Sequence, residues 1–413
     1  MPPFILLPSF SAMNLLKKIV HPIIRTWIKC TCYFYFEKII VKGQENIPDE
    51  GPVILASNHP NSFLDGLVLT AYYKKPIYYL ARGDVFSSSF VSSLLRFLNI
   101  VPIFRREEGA ENFPKNEATF SFCIETFKEE GTILIFSEGG SESEWDLRPL
   151  RKGTARLANT AWNDETIGHS LKILPATINY STWLKINGVA YVTFLPIIEK
   201  KDIPKNLEQA LMLRKFNEIL KIRLEENCIT LDKKEHLEEQ QIIAGFLLKN
   251  FKDGREKAIN AINDFKNEDN SFKEKFIELA NYIKVHQIKY LSRTNVLVFA
   301  LSIAIYDMAV ILNFVPHAVC SYMAKRITNH NEFYDSVLFC LLLFFYPIYL
   351  VLLFLSVYFV THSLLLGVII ISVTLISAKL REWAKRNMQG YVKRKFIDSL
   401  LAILDGFFQK DNG

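Results

Sequence analysis

Residues 337–359 are almost wholly apolar, and a run of that length leaves a chain few options. About 20 apolar residues in a helix cross a hydrocarbon layer about 30 Å thick. There every backbone polar group must be satisfied inside the segment. A second run, 364–378, follows the short Thr361-His362-Ser363 turn, so 334–379 reads as a transmembrane helical hairpin. Lys325 and Arg326 precede it, and Lys379, Arg381, Lys385, Arg386, Lys393, Arg394 and Lys395 follow. Cations at both ends and none in the turn place both ends on the cytoplasmic side. Residues 380–413 read as a basic amphipathic tail. A third apolar stretch, 296–315, carries Asp307 and stops at Pro316. A single crossing there would put Lys325 and Arg326 on the wrong side, so 294–333 reads as re-entrant or interfacial helices.

The other segments differ in character. In 1–38, Lys17, Lys18, Arg25 and Lys29 sit among Leu, Ile, Trp and Phe, and Pro22 and the charges interrupt any signal-like run. This predicts a membrane-associated amphipathic N-terminal helix; the alternative is a helix packed on the protein's own core. Over 39–204 strand-like runs at Val53–Ser57, 77–81, 133–137, 173–178 and 190–194 alternate with helical stretches, which argues a layered α/β domain. Glu, Lys, Asn and Gln dominate 205–293, with apolar residues at helical spacing, as in a solvated helical insert or lid. The net charge of +6 suits an anionic leaflet and is too small and dispersed for nucleic acid. The cysteines show no metal-ligand spacing and read as reduced, which fits a cytoplasmic face.

Chemistry concentrates in four segments. The apolar run 52–56 breaks into Ser57-Asn58-His59-Pro60-Asn61-Ser62-Phe63-Leu64-Asp65-Gly66, placing a histidine and an aspartate just past a strand end, where α/β folds bind ligands. A carboxylate that holds an imidazole fixes its tautomer and stabilises the imidazolium, so such a pair can deprotonate a hydroxyl. The other three are Ile100-Val101-Pro102-Ile103-Phe104-Arg105-Arg106, Thr132-Ile133-Leu134-Ile135-Phe136-Ser137-Glu138-Gly139-Gly140-Ser141 and Leu171-Lys172-Ile173-Leu174-Pro175-Ala176-Thr177.

In this order, over roughly 40–200, the four segments resemble the blocks of the glycerolipid acyltransferase family, which acylates glycerol 3-phosphate and 1-acylglycerol 3-phosphate. Five residues separate His59 from Asp65 where the usual first block has four, and Ser137 and Gly140-Ser141 replace the usual Pro and Thr-Arg. Both departures resemble the fungal-type glycerol 3-phosphate acyltransferase branch. Its Glu-Gly-Gly-Ser loop precedes a Leu-x-Pro-Leu-x-x-Gly stretch, here Leu147-Arg148-Pro149-Leu150-Arg151-Lys152-Gly153.

The resemblance implies an α/β layered acyltransferase domain and an integral membrane protein with its catalytic domain on the cytoplasmic face. Its partners would be an acyl-CoA or acyl carrier protein thioester, a phosphorylated glycerol acceptor and membrane lipids, with no cofactor, metal or nucleic acid. No Gly-x-Ser-x-Gly turn is present, so direct attack by the acceptor hydroxyl, with His59 as base and Asp65 behind it, is the economical route. Arg105, helped by Arg106, can bind a phosphate bidentately. Gly139 and Gly140 allow close backbone approach and N–H contacts to an anion. The resemblance puts Glu138 in the acceptor site, to hold a hydroxyl or pair with an arginine. The alternative is a hydrolase using the same His-Asp pair with water.

Overall fold

A computed structural model of the chain describes residues 10–83, 92–93, 95, 98–103, 113–183, 186–204, 207–329 and 333–408. Its centre is a seven-stranded sheet. The strands are β1 (Lys38–Lys42), β2 (Val53–Ser57), β3 (Ile77–Arg82), β4 (Ile100–Ile103), β5 (Thr132–Phe136), β6 (Lys172–Tyr180) and β7 (Val189–Phe194). They lie in the order β1-β7-β6-β2-β5-β3-β4, and only β6 and β7 pair antiparallel.

Central β2 shows why apolar runs rather than alternation mark such a sheet. Every residue from Val53 to Ala56 is 0% exposed, because helices cover both faces. Val53 and Leu55 pack with Leu134, Leu174 and Ile178 beneath α1 (Phe10–Tyr35) and α2 (Ser62–Tyr72). Ile54 and Ala56 pack with Ile133, Ile135 and Ile173 against α3 (Phe113–Lys128), α4 (Lys152–Trp162) and α5 (Gln209–Glu225).

One side of the N-terminal helix packs on the protein's own core. Ile28, Cys32 and Tyr35 of α1 are buried in the first core, while Ile23 and Tyr33 are exposed. The helix is docked on the protein and still presents apolar groups outward.

Helices α6 (Leu237–Asn250), α7 (Gly254–Asn267) and α8 (Asn270–Val285) build a third core on Val189 and Tyr191 of β7. Ile397, Leu400 and Leu404 of α12 (Arg394–Phe408) fill the same core. The 205–293 segment is therefore packed against the sheet, and the basic tail is docked rather than free.

Three helices, α9 (Val296–Thr328), α10 (Tyr334–Thr361) and α11 (Leu364–Val392), are long and apolar enough to cross a membrane. The expectation of a helix pair across 294–333 is corrected: α9 continues through Pro316. Proline has no N–H to give the carbonyl four residues back, which frees Leu312. The Tyr349 hydroxyl of α10 donates to that carbonyl at 2.6 Å, a repair by a neighbouring helix. Beside it, Asn313 accepts from Tyr346 at 2.6 Å and donates to the Thr374 carbonyl of α11 at 3.4 Å. With three candidate crossings instead of two, the charge pattern no longer fixes both ends of the region on one side.

Candidate active site

The connections around β2 and β5 determine where a ligand can sit. These strands are parallel neighbours, with Ser57 beside Phe136. The helix after β2 covers one face and the helix after β5 covers the other. Such a divergence opens a crevice at the carboxyl ends of the two strands. His59 leaves β2 into this crevice and Glu138 leaves β5 into it. The His59 N–H donates to Glu138 Oε1 at 2.6 Å.

Between His59 and Asp65 the chain makes a tight entry into α2. Ser62 has φ of 49°, a left-handed conformation unfavourable by about 1 kcal/mol or more for a residue with a Cβ. Its N–H donates to Ser141 Oγ at 2.7 Å, so the β5 loop helps to hold it. The turn brings Asp65, in the first helical turn, back beneath the imidazole: His59 Nδ1 and Asp65 Oδ2 are 2.9 Å apart. The Asp65 carboxylate is 0% exposed and also accepts from Asn61 N–H at 2.7 Å and the Tyr180 hydroxyl at 2.8 Å. An ionised carboxylate only accepts, so Nδ1 carries the proton and Nε2 is left to receive one. The ring stacks on Phe136 with centroids 3.7 Å apart and planes within 6°, which fixes its orientation. Burial and the Asp65 charge push the Tyr180 phenol well above its usual value, keeping it a donor.

Glu138 pairs with an arginine, Arg148. Glu138 Oε2 accepts from Arg148 N at 3.1 Å and from Nε at 2.8 Å, while Arg148 Nη2 donates to the Gly140 carbonyl. Burial raises the Glu138 carboxyl above its ordinary range, and the Arg148 charge opposes that shift. Gly139 has φ of 71°, and a Cβ there would lie 2.8 Å from Arg151 Cγ, so the turn requires glycine. Its N–H donates to the Phe136 carbonyl at 3.0 Å and is committed to the turn rather than free for a ligand anion. Arg105 and Arg106 lie outside the described residues.

The sequence motif includes Arg148 without revealing its role in the site, and nothing in the sequence pointed to Tyr180. The signal for Arg148 was its place shortly after Glu-Gly-Gly-Ser. Arg148→Ala should strand a buried carboxylate, costing about 3–5 kcal/mol, and lower the melting temperature and turnover together. Arg148→Lys, which lacks the planar fork, should fall between. Unchanged melting and turnover in the alanine variant would remove Arg148 from the site.

The crevice opens into a cleft of about 1880 Å³. His59, Glu138 and Arg148 line it together with Arg82, Arg151, Lys152 and Arg156, and apolar Ile24, Ile28 and Leu67 line another part. No described residue of 205–293 lines the cleft, so the expected lid does not cover it. Among the described residues no three or more His, Cys, Asp or Glu side chains converge as a metal site requires.

Residues 38–179 match the family model described as Acyltransferase. They form an acyltransferase-family domain. It contains His59, Asp65, Glu138 and Arg148, and helices α9–α11 lie beyond it. A 1-acyl-sn-glycerol-3-phosphate acyltransferase of Borreliella burgdorferi is 28% identical over 158 residues, 38% of this chain and 57% of that protein. A chloroplastic 1-acyl-sn-glycerol-3-phosphate acyltransferase of Brassica napus is 26% identical over 147 residues, 34% of this chain and 39% of that protein. The chain thus spans about half the length of these curated relatives. A crystal structure of the 1-acyl-sn-glycerophosphate acyltransferase PlsC from Thermotoga maritima aligns with a TM-score of 0.38 at 19% identity, covering 54% of this chain and 84% of that one.

Proposed function

We propose that the chain is a membrane-bound O-acyltransferase of phospholipid synthesis. It moves a fatty acyl group from an acyl-CoA or acyl carrier protein thioester to 1-acylglycerol 3-phosphate or glycerol 3-phosphate. The observation that carries this reading is the His59–Asp65 pair at 2.9 Å, on the wall of a cleft that also has cationic and apolar parts.

The acceptor hydroxyl gives its proton to His59 Nε2 while its oxygen attacks the thioester carbonyl. Asp65 stabilises the imidazolium. Collapse of the tetrahedral intermediate breaks the C–S bond, and the imidazolium proton passes to the departing thiolate. An ester and a free thiol result. Arg82, Arg151 and Arg156, with Arg105 and Arg106 from the sequence, supply the cationic field for an acceptor phosphate. Ile24, Ile28 and Leu67 suit an acyl chain. A soluble thioester donor favours a cleft that opens to the cytoplasm.

Purified full-length protein in proteoliposomes, given labelled palmitoyl thioester and each acceptor in turn, tests the reading. Labelled acylated glycerol phosphate and thiol release should both require an acceptor. Free palmitate formed equally with and without acceptor would show a hydrolase instead.

A further inference from the structure

The loop that carries His59 is held from an unexpected place. Helix α10, apolar enough to cross a membrane, begins with Tyr334-Asp335-Ser336, and its first turn reaches into the acyltransferase domain. Asp335 Oδ2 accepts from Asn61 Nδ2 at 3.2 Å, and Oδ1 accepts from the Tyr35 hydroxyl of α1 at 3.2 Å. Ser336 Oγ donates to the Asn61 carbonyl at 2.9 Å and accepts from Leu64 N–H at 2.9 Å. Asp335, Ser336, Asn61 and Tyr35 are all buried.

These contacts meet the catalytic pair through one residue. The Asn61 side chain is held by Asp335, its carbonyl by Ser336, and its N–H donates to the Asp65 oxygen that also faces His59 Nδ1. Asn61 precedes α2 but makes no side-chain cap to it. Ser336 instead satisfies Leu64 N–H, one of the first-turn donors that a helix leaves without an internal partner. Because Asp335 only accepts, the Asn61 amide must present its nitrogen there. An acid in the first turn of a helix is ordinarily explained by the helix dipole. That explanation does not account for a carboxylate shared between two other elements.

We propose that Asp335 and Ser336 are positioning residues for the His59–Asp65 pair, acting through Asn61, so that the C-terminal apolar helices set the catalytic geometry. The inference rests on the acyl-transfer reading for its kinetic consequences but not for its structural ones.

Two measurements on the full-length protein in proteoliposomes test it. In kinetics, Asp335→Ala should lower kcat by about 10²-fold, as a misplacement of about 1 Å at a reacting group can. KM for palmitoyl-CoA and for 1-acylglycerol 3-phosphate should change little, and isosteric Asp335→Asn should recover part of the loss. Asn61→Ala combined with Asp335→Ala should be no slower than the slower single variant, since coupled residues are not additive. In the second measurement, diethyl pyrocarbonate labelling is followed by peptide mass spectrometry. His59 should react severalfold faster in Asp335→Ala, while exposed His169 stays unchanged as reference.

Should Asp335→Ala fail to fold, Tyr35→Phe removes one donor to Asp335 while keeping the ring against Phe339. It should give a smaller shift of kcat and labelling in the same direction. Additive kinetics, or unaltered His59 labelling in the folded variants, overturns the proposal. Wild-type protein that transfers no acyl group to any acceptor defeats the functional reading alone, because the labelling arm still decides whether Asp335 orders the loop.

Discussion

His59→Ala should abolish acyl transfer, by about 10²–10⁴-fold or more, while the protein folds and inserts normally. Both halves of this expectation follow from the contacts. The imidazole is the ring that Asp65 orients, at 2.9 Å, on the wall of the cleft. The fold survives because removing the ring does not orphan its partner. Asp65 keeps Asn61 N–H at 2.7 Å and the Tyr180 hydroxyl at 2.8 Å. The backbone N–H of residue 59 keeps Glu138, since that bond does not use the side chain. Turnover, melting temperature and membrane fractionation of the variant check the three claims together. Turnover near the wild-type rate in a folded variant would rule out His59 as the base.

What the sequence made legible was local. The His59–Asp65 pair could be read because both residues fall within one strand-to-helix turn, and β2 because a strand buried on both faces is apolar throughout. Strand β1, at the sheet edge beside β7, escaped because the run 39–41 is short and flanked by lysines. The unread parts depend on partners far along the chain. Glu138 could bind a substrate hydroxyl or an arginine until the loop fold brought Arg148 alongside it. Pro316 ends a helix by every local rule, and only Tyr349, 37 residues from Leu312, supplies the missing donor. Asp335 is separated from Asn61 by 274 positions, and nothing in its own neighbourhood announces an active-site partner.

Removing residues 294–413 should eliminate activity on every acceptor, including micelle-dispersed ones, and not merely detach an anchor. Read from the sequence, the chemistry lies upstream and the C-terminal region serves as a membrane tether. The packing shows a shared core instead. Tyr334, Leu338 and Phe339 belong to the cluster that holds Val53, Leu55 and Tyr180, and Ile397, Leu400 and Leu404 fill the core of the 205–293 helices. Fully burying such a side chain contributes about 1.5–3 kcal/mol, so these six alone stand for roughly 9–18 kcal/mol. That is comparable to the whole margin of about 5–15 kcal/mol by which domains are stable. Lys379 also donates to the Tyr33, Phe36 and Glu37 carbonyls at the end of α1, at 2.7, 3.3 and 3.0 Å, where a cation satisfies groups that the helix leaves open. The truncated form should therefore aggregate or be digested under conditions in which the full chain resists protease. Any fraction that stays dispersed should lose carbonate-resistant membrane residence and turn over no thioester. A truncated protein that is monomeric, protease-resistant and active on micelles would show that the α/β domain stands alone, with α10 contributing only an anchor.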